Sequence, residues 1–207
     1  MTHTYLPIRA GSHRCHDGVM FTPEPVVAVM GRVGVWWAVA GGWAIDLWLG
    51  KQTREHHDLE VVVKRNDQRA IHAALTADWD LFALDPPGSG WRPWSGAPIH
   101  APAFQLQARS SSGEFDLFTE TVDETRWHFR RDSRITTGAD EVIVATASGI
   151  PIVRPEIQLL YMASSAEPKN QHDFEMARPQ LTPDAARWLM NALQLTLPGH
   201  RWLQHLK

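Results

Sequence analysis

One short run, Asp58-Leu59-Glu60 followed directly by three valines, constrains the fold of this chain more than any other. Consecutive valines predict a buried β-strand, because β-branched residues favour strands and an unbroken apolar run suits a strand covered on both faces. Side chains at positions i and i+2 of a strand point to the same face, about 6–7 Å apart. We therefore expect Asp58 and Glu60 to share one face of this strand, while Leu59 and Val61 face the core.

Two carboxylates on one strand face have an ordinary explanation, a solvated surface, and a functional one. Held close together, they repel each other unless a cation lies between them, and hard oxygen ligands at this spacing suit Mg²⁺. A third carboxylate, Asp116, lies between Phe115 and Leu117 in another predicted strand, where a charge is costly without a partner. If the two strands are neighbours, three carboxylates converge, which is the arrangement of a two-metal phosphoryl or nucleotidyl transfer site.

Gly41 and Gly42 stand between a short apolar run, Val35 to Val39, and a segment with helical spacing that ends at Gly50. A glycine turn between a strand and a helix exposes backbone N–H groups that can hold phosphate. An ordinary tight turn is the alternative interpretation of two adjacent glycines. Their place just before the carboxylate strand favours the phosphate site.

The remaining periodicity predicts an α+β protein: a mixed sheet flanked by helices, followed by a C-terminal helical bundle. We expect a loosely ordered segment at 1–22, an α+β domain at 23–150 and a helical domain at 151–207. The predicted strands are 35–39, 58–63, 79–84, 104–109, 114–118, 127–129 and 142–144. The predicted helices are 23–34, 43–49, 67–77, 155–164, 169–178, 183–195 and 198–206, and the segment 85–102, rich in proline and glycine, is expected to be a long loop.

Composition excludes several classes of protein. A net charge of −3 gives no electrostatic basis for bulk nucleic-acid binding. The single cysteine, Cys15, rules out an internal disulfide, and neither a long apolar run nor the apolar core of a signal peptide is present. We therefore expect a cytoplasmic protein with no membrane contact; the oligomeric state is not determined by these features.

Two motifs together resemble a known family. The first comprises Gly41-Gly42-Trp43-Ala44-Ile45-Asp46, then Gly50, Thr53, Arg54, His56, Asp58, Leu59 and Glu60. The second is a helix started by proline and followed by Pro168, Lys169, Asp173 and Phe174. These motifs resemble the nucleotidyltransferases of the DNA polymerase β superfamily, and are most similar to the small aminoglycoside and lincosamide nucleotidyltransferases. The resemblance extends over about residues 24 to 205.

The resemblance implies a role for each matching residue. Asp58, Glu60 and Asp116 would bind Mg²⁺, and Asp116 would also act as the general base toward an acceptor hydroxyl. Gly41 and Gly42 would contact the β- and γ-phosphates of a nucleoside triphosphate, with ATP the expected donor. Lys169 is the first candidate for a cation that reaches the triphosphate, and Arg54 is the second. The reaction would transfer a nucleoside monophosphate to a hydroxyl of a small-molecule acceptor, such as an aminoglycoside- or lincosamide-like antibiotic, and release pyrophosphate.

The chain departs from that family in three respects that leave the acceptor open, one of which is a segment at 85–102 rich in tryptophan, proline and arginine. Glu60 stands where aspartate is commoner, and no clear acidic set for a cationic aminoglycoside is present. The alternatives are the same chemistry on tRNA or a protein, and a binding module with this fold that has lost catalysis.

Several other polar residues have competing interpretations. For Asp46 we favour a structural hydrogen bond to the loop that carries Arg54 and His56, and we give a zinc site at His56-His57 little weight. Arginines in the segment 126–131 are expected to pair with the acidic residues at 120–124 rather than to bind phosphate or RNA. Trp91 and Trp94 are expected to form a loop cluster, with the wall of an acceptor pocket as the alternative.

Overall fold

The computed structural model describes residues 22–206. Apart from Thr22, the segment 1–22 predicted to be loosely ordered lies outside the described residues, and so does Cys15. The helices are α1 (Glu24–Val33), α2 (Gly41–Leu49), α3 (Gln68–Leu75), α4 (Pro155–Met162), α5 (Pro168–Ala177) and α6 (Pro183–Thr196). The strands are β1 (Trp37–Ala40), β2 (Glu60–Lys64), β3 (Asp80–Ala83), β4 (Arg92–Pro93), β5 (Gln105–Ser110), β6 (Gly113–Val122), β7 (Arg126–His128), β8 (Thr136–Gly138), β9 (Ile143–Ala145) and β10 (Pro151–Val153).

The central sheet is mixed, with the order β4-β3-β5-β6-β2-β1-β10-β9, and β7 and β8 extend from β6. Strand β2 runs parallel to β6 and antiparallel to β1. Strand β10 runs parallel to β1, so the chain returns to the sheet after residue 150. The predicted α+β class with a mixed sheet is confirmed, while the division into domains at residue 150 stays a prediction.

Successive side chains along each strand point to opposite faces of the sheet, so the interior contains two hydrophobic cores, one on each face. Val61 and Val63 pack on one face, with α1 and α3. Val62 and the alternate β1 residues pack on the other face, with α4, α5 and α6. Helix α4 contacts both α5 and α6, and all three helices share this second core with the sheet. The face that carries Val62 therefore looks toward the C-terminal helices; a separate helical bundle stays a prediction.

Proline sets the start of each C-terminal helix, because its fixed φ suits the first helical turn and that turn needs no N–H from it. Pro155, Pro168 and Pro183 each stand at the first position of their helix, as the sequence predicts. Thr182 caps α6 by accepting a hydrogen bond from the Ala185 N–H (3.2 Å). Position and length of these helices therefore follow from local signals.

Four elements differ from the prediction. The predicted helix at 198–206 is a 3₁₀ helix at Arg201–His205. Strands β8 and β10 were not predicted, because each has only three residues and no alternation to reveal it. The two-residue strand β4 lies inside the predicted loop at 85–102, where it pairs with β3.

No helix among residues 22–206 is both long and apolar enough to cross a membrane.

Candidate active site

The carboxylates of Glu60 and Asp116 lie side by side, since Glu60 pairs with Asp116 in the parallel register of β2 and β6. The backbone joins one residue earlier as well, where the Asp116 N–H donates to the Leu59 carbonyl (2.9 Å). Strand β2 was predicted to begin at Asp58, but it begins at Glu60, so Asp58 lies just before the strand. Leu59 is buried on the opposite face, in the core that holds α1 and α3. The carboxylates accordingly belong to the face that looks toward the C-terminal helices.

Charge repulsion is strong at Glu60. Burial and the nearby charges of Asp58 and Asp116 raise the pKa of Glu60 to about 8. Lys169 and Arg130 oppose this rise in pKa without cancelling it. The charges of the two other predicted metal ligands, Asp58 and Asp116, therefore both act on Glu60.

Asp116 is held in place by two amides that sequence reasoning missed. Gln107 Nε2 donates to Asp116 Oδ1 (2.8 Å), and Gln105 Nε2 donates to Asp116 Oδ2 (3.3 Å). Both glutamines lie on β5, paired with β6 in antiparallel register. The alternation of the sequence Phe-Gln-Leu-Gln at 104–107 was the available signal, since it puts both amides on one face of a strand. Amide donors favour the ionised carboxylate, so they suit a group that serves as a ligand or a base.

The two glycines allow side chains to approach the first turn of α2. Gly41 has a φ of +66°, and a Cβ placed on it would lie 2.6 Å from Glu60 Oε2. A Cβ on Gly42 would lie 2.7 Å from His56 Cε1 and would also overlap Arg54 Nη2. The predicted tight turn before the helix is not a separate element, because both glycines are the first residues of α2. Whether their N–H groups hold phosphate stays a prediction.

Asp46 organises the loop between α2 and β2. Its carboxylate accepts from the Thr53 N–H (3.0 Å), from Thr53 Oγ1 (2.6 Å) and from His56 Nε2 (2.6 Å). Burial by itself would raise the pKa of Asp46, but the hydrogen bonds from His56 and Thr53 lower it overall. The His56 ring also stacks on Trp43, with ring centroids 4.4 Å apart. The structural role expected for Asp46 is thus the one the contacts show.

Arg54 forms a bidentate ion pair with Asp173 of α5. The distances from Nε and Nη2 to the two carboxylate oxygens are both 2.8 Å, and the Asp173 side chain is completely buried. Arg54 Nη1 donates to the Glu55 carbonyl (3.0 Å). Because its charge is matched by Asp173, Arg54 acts here as a link between the loop and α5. Its predicted contact with triphosphate stays a prediction.

Lys169 lies one turn before Asp173 on α5, with its side chain 46% exposed. Its Nζ atom is 3.4 Å from Glu167, a loose surface pair that leaves it able to turn toward another anion. Its charge lowers the pKa of Glu60, so the ammonium group lies close enough to act on that carboxylate. Of the two predicted cations, the structure leaves Lys169 the more accessible.

The structure also shows the contacts of the remaining candidate residues. Arg130 pairs with buried Glu120 (2.6 Å), as predicted for this arginine group, whereas the Arg126 guanidinium donates to Thr136. Trp94 packs in the core shared with α1 and α3 rather than in the predicted loop cluster, and that core lies on the opposite face from the carboxylates. Among residues 22–206, no group of three or more His, Cys, Asp and Glu side chains is arranged as a ready-made metal centre.

Comparison with known proteins gives this geometry a context. The family model for aminoglycoside-2''-adenylyltransferases matches residues 24–79, which include both glycines, Asp58 and Glu60. Over this N-terminal stretch the chain is similar to that family. No curated protein sequence matches it.

Solved structures of antibiotic nucleotidyltransferases share the fold. The lincomycin-bound lincosamide antibiotic adenylyltransferase LnuA has 15% identity and a TM-score of 0.52, covering 74% of this chain and 92% of its own. ANT(2'')-Ia in complex with adenylyl-2''-tobramycin has 12% identity and a TM-score of 0.54, covering 83% and 98%. The solution structure of ANT(2'')-Ia has 13% identity and a TM-score of 0.53, covering 90% and 100%. At such identities the likeness establishes the fold alone, and the activity and substrates of this chain have to be argued from its own residues.

Proposed function

We propose that this protein is a Mg²⁺-dependent nucleotidyltransferase that transfers a nucleoside monophosphate from a nucleoside triphosphate, ATP by preference, to a hydroxyl of a small antibiotic-like molecule. The observation that carries the proposal is the pairing of Glu60 with Asp116 on adjacent parallel strands, with the charge of Asp58 close enough to act on Glu60. A structural role would not require three carboxylates to be kept together against their own repulsion. We also propose a cytoplasmic location.

The donor set of the site fits a divalent cation. Asp58, Glu60 and Asp116 offer hard oxygen ligands, and their mutual repulsion, seen in the raised pKa of Glu60, is what a bound cation would relieve. When bound, Mg²⁺ would neutralise triphosphate charge and make the acceptor hydroxyl more acidic. The glutamine contacts of Asp116 keep its carboxylate oriented before anything binds.

The chain's own residues have defined tasks in this proposal. Asp116 would take the proton of the acceptor hydroxyl as its oxygen forms a bond to the α-phosphorus, while the bond from that phosphorus to the bridging oxygen breaks and pyrophosphate leaves. Lys169 would bind the departing phosphates, and the first turn of α2 at Gly41 and Gly42 would donate N–H groups to them. The Arg54–Asp173 pair would keep α5, and with it Lys169, against the sheet.

The test is titration calorimetry of each nucleoside triphosphate with and without Mg²⁺, on the wild type and on Asp58→Asn. We expect Mg²⁺-dependent binding by the wild type that weakens at least about tenfold in the variant, since one charge-bearing ligand is lost. The exposed carboxylate Glu124 supplies the matched control, Glu124→Gln, which should bind as the wild type does.

A second measurement follows transfer of radiolabel from an α-labelled triphosphate. Label found on a small hydroxylated molecule supports the proposal, whereas label found on tRNA or on a protein would shift the acceptor to a macromolecule. A folded wild type that binds no triphosphate at any Mg²⁺ concentration would rule out the enzyme and leave a binding module with this fold.

A further inference from the structure

The sheet face that carries the carboxylates continues into an aromatic surface. Along β6, alternate residues share one face, which places Asp116, Phe118 and Glu120 in a row with about 6–7 Å between neighbours. Phe104 stacks on Phe118 with ring centroids 6.0 Å apart, and Tyr161 of α4 approaches the same row. This surface lies between the sheet and the C-terminal helices, immediately beyond Asp116.

Arg130 lies at the centre of that surface. Its guanidinium carbon is 4.5 Å from the Phe104 ring, 5.1 Å from the Phe118 ring and 4.4 Å from the Tyr161 ring. We call these four residues the aromatic–arginine wall; each is partly exposed. Flat rings and a planar guanidinium present faces on which another ring can pack.

Glu120 lies behind the wall, and its negative charge is already compensated. Its carboxylate accepts from Arg130 Nη1 (2.6 Å), from Trp127 Nε1 (2.9 Å) and from Tyr161 Oη (2.7 Å). The side chain is only 1% exposed. An acceptor that carries several ammonium groups needs available carboxylates, and this one has its charge matched and its oxygens bonded.

Positive charge continues beside the wall at Arg131. Its Nη1 atom donates to the Tyr161 carbonyl (2.6 Å) and to Ser164 Oγ (2.5 Å), which are both uncharged groups. No ion pair joins Arg131 to a carboxylate within residues 22–206. A cationic acceptor would meet this charge, so the surroundings of the wall favour an acceptor that is neutral or anionic.

We infer that the acceptor is a non-cationic hydroxylated ring compound that packs on the aromatic–arginine wall, and that Arg130 excludes polycations by neutralising Glu120. This inference rests on the proposed nucleotidyl transfer and names the class of its substrate. A ring held on Phe118 would lie next to Asp116 on the same strand face, close enough for a substituent hydroxyl to reach that carboxylate. Arg130 would thus determine specificity through Glu120, and the reaction itself would be the transfer described above.

The experiment is calorimetry with the donor site filled by Mg²⁺ and a non-hydrolysable triphosphate analogue. Three probes are used: a phenyl glycoside, an aminocyclitol glycoside with several amines, and the same aminocyclitol glycoside with every amine acetylated. We expect the wild type to bind the phenyl glycoside, and to bind the acetylated compound at least about tenfold more tightly than its amine form.

The variants test the mechanism of exclusion. Arg130→Met leaves the Glu120 charge available, so affinity for the amine probe should rise about tenfold, and Arg130→Met/Glu120→Gln should lose that gain. Arg134→Met is the matched control, because Arg134 makes a surface pair with Asp132 and should leave all three affinities unchanged. Circular dichroism and thermal unfolding report whether each variant folds.

If Arg130→Met does not fold, Phe118→Leu gives an independent reading, and it should weaken phenyl glycoside binding at least about threefold while the donor analogue still binds. Wild-type protein that binds the amine probe as tightly as its acetylated form would overturn the inference. So would a wild type that binds the donor analogue but no phenyl glycoside, or an Arg130→Met that gains no affinity for amines. Failure to bind the donor analogue at all counts instead against nucleotidyl transfer itself.

Discussion

Two groups of acidic side chains lie near the first turn of α2, and they differ in how their negative charge is balanced. Asp46 and Asp173 are buried and fully matched, by His56 and Thr53 in one case and by Arg54 in the other. At Glu60, by contrast, burial and the neighbouring charges of Asp58 and Asp116 raise the pKa to about 8, and Lys169 and Arg130 offset only part of that rise.

This difference separates structure from function. A matched buried charge holds elements in register, because removal of either partner leaves the other uncompensated. Carboxylates kept together without a matching cation weaken the folded protein, and such a cost persists where the cluster has a ligand to bind. The matched network lies directly beside the unmatched cluster, separated only by the first turn of α2.

The largest loss of stability is expected when the ion pair between Arg54 and Asp173 is removed. Arg54→Met leaves buried Asp173 without its cation, so the free energy of unfolding should fall by about 3 kcal/mol. Chemical denaturation at pH 7 measures it. The double variant Arg54→Met/Asp173→Leu removes both charges and should recover most of that loss; a double variant as unstable as the single one would contradict a charge-based account.

The carboxylate of Glu60 should make the stability of the folded protein depend on pH. The pKa of Glu60 in the folded protein, about 8, lies above the ordinary value of 4.5, so between these two pH values the folded state binds a proton that the unfolded state has lost. Stability of the metal-free protein should therefore fall as pH rises from about 4.5 to about 8. Denaturant melts of the wild type and Glu60→Gln across this range measure the difference.

Glu60→Gln should remove this part of the pH dependence, and addition of Mg²⁺ at pH 8 should stabilise the wild type more than the variant. The same slope in both proteins would show that Glu60 is not the group responsible. The comparison between the two proteins matters here, because other groups titrate in the same range and cancel in the difference.

A smaller loss of stability is expected from a substitution at Gly42, which lies between the two groups of acidic side chains. Gly42→Ala would place a methyl group against Arg54 and His56, which are held by their own ion pair and hydrogen bond, so we expect a loss of about 1–2 kcal/mol. Gly31→Ala is the matched control in α1, where the new methyl would meet nothing within 4 Å. There the change should stabilise by about 0.5–1 kcal/mol, since alanine favours a helix over glycine. Thermal unfolding compares the two, and equal shifts would argue against a close approach at Gly42.

Local patterns made much of the fold predictable. The valine run marked β2, the prolines marked the starts of three helices, and Gly50 ended α2 with a left-handed φ of +68°. The missed strands β8 and β10 are short, and their pairing depends on partners elsewhere in the chain. The predicted start of β2 at Asp58 was wrong by two residues, because the preceding loop is tied to α2 through Asp46 rather than extended.

Sequence alone determined which residues could do chemistry: the adjacent glycines, the paired carboxylates of 58–60, and an aspartate between apolar residues at 116. Tertiary structure decided which of them meet. Arg54 finds Asp173 across 119 residues of chain, and Gln105 and Gln107 find Asp116 only through the register of β5 with β6. The physical reason is that a side chain's type is set locally, whereas its partner depends on how strands pair and helices pack, and charge balance at a site is a property of those partners together.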